Sequence, residues 1–391
     1  MITLEQASEI ALSKVRPPGI ENVGYLQSVG RILAEDIFAD ADMPPFTKSA
    51  MDGYACRRND LEREFSVIEI IPAGKTPSET VSAGKCSKIM TGAQVPLGAD
   101  TVFMIEYSEE TAPGKVRFTG TKTNSNICLK GEDLRKGDRV LSAETLLKPQ
   151  HIAILASVGC TNPRVYQRPI LGIISTGSEL VSPEEKPQPS QIRNSNGPQL
   201  YAQASAYGFQ VNYYGIVPDN KQQTAHVIQQ SVAENDVTIL SGGVSVGDFD
   251  FVPHIIKELG FEIHFNKINV KPGQHTTFAS AKDKYIIGLP GNPVSSLIQF
   301  EVFVLPFLRQ LMNYSQPEIK LLLPLAFDFI RKKPDREEYL PVWLTGQNEV
   351  TLVEYHGSAH IQAYNQAFGY ISVSPGTSEI KKGELVHVRP L

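Results

Sequence analysis

The stretch VTILSGGVSVGDFDF, residues 237–251, runs a short apolar and β-branched segment directly into two glycines, with two aspartates a few positions on. A run of this kind, closed by a turn signal and followed by the helix-patterned FVPHIIKEL, reads as a buried strand, a loop and a helix. The loop has neither the GxGxxG spacing of a dinucleotide fingerprint nor the lysine of a P-loop. Its ligand must therefore suit a glycine turn and two carboxylates together.

Outward from this stretch the same alternation repeats. From Pro169 the chain reads as strand ILGIIS, helix PQLYAQASAYG, strand VNYYGIV, helix KQQTAHVIQQSV, strand VTIL, helix FVPHIIKEL, strand YIIGL and helix PVSSLIQFEVFVLPFLRQLM. Strands alternating with helices of this length predict a doubly wound, largely parallel sheet. FEIHFNKINVKPG with HTTFAS is expected to interrupt it as an antiparallel excursion. The predicted fold class is multidomain, α/β plus β. Residues 1–40 and 142–168 are expected to form a split helical domain, with PQHIAILASVG packed beside the first helices. Residues 41–141, with FSVIEII, CSKIM, TVFMIEY, KVRF and RVL between glycine and proline turns, form an inserted β domain. Residues 169–316 are the α/β domain, and residues 317–391 a C-terminal β domain.

The composition excludes several classes of function. With 391 residues, 41% hydrophobic and 20% charged, the chain is too long for one core. A net charge of -5 gives no basic footprint for nucleic acid. Cys56, Cys86, Cys128 and Cys160 are widely spaced, with no CxxC pair, and predict neither a zinc knuckle nor a disulfide framework. The N-terminus lacks the apolar run of a signal peptide, and VFVLPFL is too short to span a bilayer. A soluble, cytoplasmic protein is expected.

In an open α/β sheet, ligands bind beyond the carboxyl ends of the strands. Three loops have that position: STGSEL with Ser175, Thr176 and Gly177; SGGVSVGDFD with Ser241, Gly242, Gly243 and Ser245; and GLPGNPVSS with Pro290, Gly291, Asn292, Pro293 and Ser295. Glycine lets backbone N–H groups approach an anion, and the hydroxyl and amide groups add donors. Each loop alone reads as a tight turn, and the three together point to a phosphate. Asn292 and Pro293 fit the cap and first turn of a helix. Lys267 and Lys271, four apart on an expected strand, share one face and supply cations. Asp248, Asp250, Glu179 and Asp219 would repel a bare phosphate, so they imply a hard divalent cation, most simply Mg²⁺. Capping of FVPHIIKEL is the alternative use of Asp248 or Asp250.

Seven motifs carry a family resemblance along essentially the whole chain. SAMDGYA (49–55), IMTGAQVPLGAD (89–100), GEDLRKGD (131–138), STGSEL (175–180), SGGVSVGDFDF (241–251), INVKPG (268–273) and LPGNPVSS (289–296) occur in order. Together they resemble the MoeA-type molybdopterin molybdenumtransferases, related to the C-terminal part of gephyrin. The resemblance implies an elongated homodimer with a helical, an inserted β, an α/β and a C-terminal β-barrel subdomain, the α/β part similar to molybdopterin-adenylylating proteins. It implies that adenylylated molybdopterin and molybdate give molybdenum cofactor and AMP, with Mg²⁺ required. It places functional residues at Asp52, Thr91 and Asp133, at Glu179, Asp219, Asp250, Lys267, Lys271 and Ser295, and at Arg336 and Ser358. On residues alone, MDGY reads as a polar turn and Thr91-Gly92 as a turn after a strand.

The acids Asp250, Asp248 and Asp219 are the expected Mg²⁺ ligands, and Lys271, Ser295, Arg336 and Ser358 the expected molybdate cradle. Asp52 and Thr91 would reach the α/β loops across the subunit boundary. Expected partners are the molybdopterin-adenylylating protein and the molybdoenzymes or their chaperones. The chain departs from the family at Gln274 and His275, where a basic residue and then proline usually follow KPG, and at Ser178, where an acid is common. One cation is thereby missing from the cradle unless His275 replaces it. Two other readings remain open: a scaffold that kept the fold and lost the chemistry, and an adenylyltransferase making the adenylylated pterin. The intact Asp, Lys and Glu set speaks against the first, and SAMDGYA with the C-terminal domain against the second.

Overall fold

The computed structural model describes residues 1–244, 251–314 and 319–391. The chain divides into two compact units: 1–22, 30–34 and 164–391 make one, and 23–29 with 35–163 make the other.

The second unit is built on a six-stranded sheet ordered Thr101–Met104, Gly53–Cys56, Lys85–Ile89, Glu64–Ile71, Lys115–Phe118 and Ser108–Ala112. Both of its faces are covered. Tyr54, Cys56, Phe65, Cys86 and Phe103 pack on one side, and Ala55, Ile71, Ile89 and Val102 on the other, as the period of two in a strand dictates. Of the expected polar turn MDGY, Gly53 and Tyr54 instead begin a fully buried strand. Gly53 is obligatory there, because a Cβ would lie 2.0 Å from the Phe103 carbonyl oxygen. The helix Pro149–Ser157 belongs to this unit and packs on the short turn Tyr25–Gln27.

The helical pattern expected over the first 40 residues ends at Leu12. Leu4–Leu12 is a helix with a capping box, Thr3 Oγ1 accepting from the Gln6 N–H at 3.1 Å and Gln6 Oε1 from the Thr3 N–H at 3.0 Å. Pro17, Pro18 and Gly19 stop it, and the chain continues through the short strand Ile20–Asn22.

The first unit holds a second six-stranded sheet, ordered Gln210–Val217, Ile170–Thr176, Val237–Ser241, Lys284–Leu289, Thr277–Ala281 and Glu262–Phe265. The first four strands are parallel and the last two antiparallel, as the sequence pattern predicts. Ile174, Leu240 and Ile286 face Ile228 of the helix Lys221–Glu234 and Val252, Ile255 and Ile256 of Val252–Glu258. The helices Asn196–Ala206 and Pro293–Gln299 pack together and touch strands of the same sheet, which is therefore wound on both sides. Pro293–Leu311 is one continuous helix, with a π-helical segment at Phe300–Val304. It alone among the described residues is long and apolar enough to cross a membrane, and most of it is buried inside the protein.

The expected strand carrying both lysines is not continuous. Glu262–Phe265 ends before Lys267, and Val270–Lys271 is a separate strand that leaves the α/β sheet. It pairs in parallel with Glu337–Leu344, Lys271 opposite Glu338. The chain turns away because Ile268, fully buried, bridges to Ile2. The sheet it joins runs Val270–Lys271, Glu337–Leu344, Gly369–Val373, Leu385–Pro390 and Leu321–Pro324, with Val350–Leu352 on Glu337–Leu344. Leu340, Val342, Ile371, Val373, Val386 and Val388 form its core at every second position.

Candidate functional site

The sheet order places the three glycine loops side by side. Ser175 is in register with Ser241, and Ser241 with Leu289, so the strands before the loops end level with one another. The chain passes from Ile170–Thr176 outward to Gln210–Val217 and then back to Val237–Ser241 on the other side, which makes this edge the switch point of the sheet. Asn196 ties the loops together: its Nδ2 donates to Ser241 Oγ at 2.7 Å and to the Gly291 carbonyl at 2.8 Å. The sequence reading missed this residue, although SNG before a helix was an available signal. Gly242 has φ +92°, and a Cβ there would lie 2.5 Å from the Thr176 carbonyl oxygen. The backbone of this loop is close-packed for that reason. Gly243, at φ +66°, lies against Thr176 in the same way.

On the neighbouring loop the Asp219 and Ser178 backbones are clasped reciprocally. Asp219 Oδ2 accepts from the Ser178 N–H at 2.9 Å, and Ser178 Oγ from the Asp219 N–H at 2.9 Å. The Ser178 hydroxyl thus fixes the Asp219 backbone, and the Ser178 N–H orients the Asp219 carboxylate, an expected metal ligand. The Glu179 carboxylate folds over Gly177, within 2.6 Å of where a Cβ would stand. Both acids are exposed and offer hard oxygen donors, which is the chemistry of an Mg²⁺ ligand set. Among the described residues no three His, Cys, Asp or Glu side chains converge as a complete metal site. Asp248, Asp250 and Ser245 lie outside the described residues.

Beyond these loops opens a pocket of about 620 Å³ between the α/β sheet and the C-terminal sheet. Lys271, Pro290, Asn292, Ser295, Arg336 and Ser358, all expected at the site, line it together. Lys267 does not. Asn292 occupies the N-cap of the helix and Pro293 its first turn, yet the Asn292 side chain makes no capping bond. The Val294 N–H donates instead to the Ser358 carbonyl at 3.0 Å, which fastens Ser358 to the start of the helix.

Two cations face this pocket. Lys271 Nζ lies 2.7 Å from Glu338 Oε1, and Arg336 donates from a terminal nitrogen to Gln274 Oε1 at 3.1 Å. Gln274 therefore lines the pocket and orients an arginine. Glu338, His275, Tyr355 and His356 complete the wall. Burial and the nearby Glu338 push the Tyr355 phenol up to about 12, so it is a neutral donor at physiological pH. Nothing in the sequence pattern marked Glu338; it becomes visible only when its strand pairs with Lys271.

In the second unit Asp52 and Thr91 meet because Gly53 pairs with Ile89 in the antiparallel ladder. Asp52 Oδ1 accepts from the Thr91 N–H at 2.6 Å and from its hydroxyl at 2.8 Å. Those two bonds, the backbone one first, hold the carboxyl below the ordinary Asp range. Asp133 is exposed on a separate loop of the unit, its N–H donating to the Met43 carbonyl at 3.0 Å.

A doubly wound sheet with hydroxyl- and glycine-rich loops at its switch point, beside a pocket with two cations, defines an α/β protein that handles anionic esters or oxyanions. Comparison with known proteins narrows this. Residues 2–159 match the model of the MoeA N-terminal region (domain I and II), 172–310 that of a probable molybdopterin binding domain, and 323–391 that of the MoeA C-terminal region (domain IV). A molybdopterin molybdenumtransferase of Staphylococcus epidermidis is 37% identical over 378 residues, 94% of this chain and 90% of that protein. One from Staphylococcus aureus is 38% identical over 321 residues, 80% and 76% of the two chains. The crystal structure of the molybdopterin biosynthesis MoeA protein from Pyrococcus horikoshii superposes with a TM-score of 0.85 at 27% identity, covering 100% of both chains. The chain belongs to the molybdopterin molybdenumtransferase family, a family of transferases in molybdenum cofactor biosynthesis.

Proposed function

We propose that the protein inserts molybdate into adenylylated molybdopterin with release of AMP, in an Mg²⁺-dependent reaction. The observation that carries this reading is the convergence of Lys271, Arg336, Ser295 and Ser358 on one pocket lined by the third glycine loop, whose strand ends level with those before the other two. Molybdate, a tetrahedral dianion, suits a pocket that combines two cations with hydroxyl donors. The phosphate end of the pterin substrate suits the loops, whose N–H groups and Ser175, Thr176 and Ser241 hydroxyls lie at one sheet edge. Asp219, Asp248 and Asp250 would hold the metal, with Glu179 beside them. Bound there, Mg²⁺ would polarise the pyrophosphate link.

The loop N–H groups would stabilise charge on the departing AMP, and Lys271 and Arg336 with Ser295 and Ser358 would hold molybdate against the dithiolene. Water attacks the pyrophosphate phosphorus as the P–O bond to the leaving group breaks, and molybdate gives up an oxygen as water when the two dithiolene sulfurs bond molybdenum. No side-chain nucleophile is required. Cys56 and Cys86 are buried, with burial first among the causes that push both thiols up to about 12, and cannot serve as one. The same reading makes the protein a cytoplasmic homodimer whose C-terminal sheet closes as a β-barrel, and gives Asp52, Thr91 and Asp133 a part in the composite site. The test is incubation with adenylylated molybdopterin, Mg²⁺ and molybdate, scored by AMP release and transferable cofactor. AMP release that needs both ions is expected. Its absence, or its persistence without molybdate, refutes the reading.

A further inference from the structure

Among the described residues Glu338 is the only acid in the pocket lining, and a carboxylate is out of place beside a site for a dianion. Its surroundings resolve the conflict. The side chain is 8% exposed and is held from two directions: Oε1 lies 2.7 Å from Lys271 Nζ, and Oε2 lies 3.4 Å from a terminal nitrogen of Arg331. Arg331 is itself buried and immobilised, donating to the carbonyls of Thr377 at 2.6 Å, Arg336 at 3.0 Å and Ser374. The Arg331–Glu338 pair is therefore internally neutral, and the charge of Lys271, whose side chain is 54% exposed, remains uncompensated toward the pocket. The ladder fixes the arrangement, since Lys271 stands opposite Glu338 in the parallel pair.

We propose that Glu338 is a positioning residue for the oxyanion: it holds the Lys271 ammonium at the pocket wall, in the orientation that receives the anion. This rests on the reading of the pocket as the molybdate site. A lysine on a flexible four-carbon stem loses much of its rotamer freedom when it binds an anion, and a carboxylate that fixes it beforehand removes that loss.

The proposal has a sign that simple charge counting does not share. Glu338→Gln adds one net positive charge to the pocket, so Coulomb attraction alone would lower the molybdate concentration needed for half-maximal AMP release. Loss of positioning raises it, by roughly tenfold. The experiment measures half-saturating molybdate and half-saturating adenylylated molybdopterin for wild type, Glu338→Gln, Glu338→Asp and Lys271→Ala, with thermal midpoints alongside. Expected is a rise for molybdate in Glu338→Gln, a smaller rise in Glu338→Asp, and an unchanged value for the pterin substrate. A lowered or unchanged molybdate value in Glu338→Gln overturns the proposal, as does an equal rise for both substrates, which marks general damage. Should Glu338→Gln fail to fold, Glu338→Asp decides by the same criterion. If Lys271→Ala leaves the molybdate response unchanged, the reading of the pocket fails, and the positioning role falls with it. If Lys271→Ala raises it while Glu338→Gln does not, positioning alone is refuted.

Discussion

Gln274→Glu is close to isosteric, and it converts a neutral acceptor of the Arg336 guanidinium into an anion on the wall of the pocket. An anion at the centre of a 620 Å³ pocket lies about 5 Å from that wall, where a unit charge and a dianion repel by about 1.7 kcal/mol at the dielectric of water. Screening at physiological salt reduces this to about 1 kcal/mol, so half-saturating molybdate should rise about fivefold. The new carboxylate also pairs with Arg336, which acts in the same direction. Stability should hold or improve, since the 3.1 Å bond becomes charge-assisted. The assay is AMP release against molybdate at saturating pterin substrate, repeated at two ionic strengths. The rise should shrink at the higher one. A response equal to wild type, with an unchanged thermal midpoint, would show that the anion does not bind in this pocket.

Gly242→Ala forces an L-residue to φ +92° and sets a Cβ 2.5 Å from the Thr176 carbonyl oxygen, so chemical denaturation should report a loss of about 2 kcal/mol or more. Thr91→Val removes the hydroxyl bond to Asp52 and leaves the N–H bond, so the Asp52 carboxyl should move part of the way back toward 3.8 in an NMR titration. Because the Asp52 value is depressed, its contribution to stability is complete above the ordinary 3.8 and is lost as pH falls through the lowered folded value. Wild type should therefore be more stable than Thr91→Val near neutral pH, and the two proteins should converge in strong acid. Cys56 and Cys86, buried and with thiols raised to about 12, should stay unmodified by a disulfide reagent at pH 8 until the protein is unfolded, when four thiols should be counted.

What the sequence made legible was governed by local pattern. The βαβ alternation after Pro169, the antiparallel excursion and the long apolar helix were readable because period and turn residues agree along the chain. The strand Gly53–Cys56, one in from the edge of its sheet, was not readable. It is four residues long, it opens on a glycine required by a neighbouring carbonyl, and it is buried on both faces, so it shows neither alternation nor an apolar run. The helical texture of the first 40 residues overreached because Pro17, Pro18 and Gly19 outweigh the residues around them. At the site, residues within glycine loops announced themselves and Gln274 stood out as a departure after KPG, whereas Glu338 and Asn196 owe their places to Lys271, Ser241 and Gly291, 45 to 95 positions away. Lys267 was joined to Lys271 by a strand period that the buried Ile268 breaks.

The strand Val270–Lys271 leaves one sheet, serves another and returns, and this limits how such a chain can be taken apart. The α/β region and the C-terminal region are contiguous blocks in sequence, and a cut near residue 317 suggests itself to anyone seeking separable modules. In space the blocks are stitched together: severed there, the C-terminal sheet loses an edge strand, and Arg331 and Glu338 lose the lysine they support. Exchange of the C-terminal block between relatives would succeed only where the donor and recipient agree on both sides of that stitch, so the two blocks are expected to evolve, and to be engineered, as one piece.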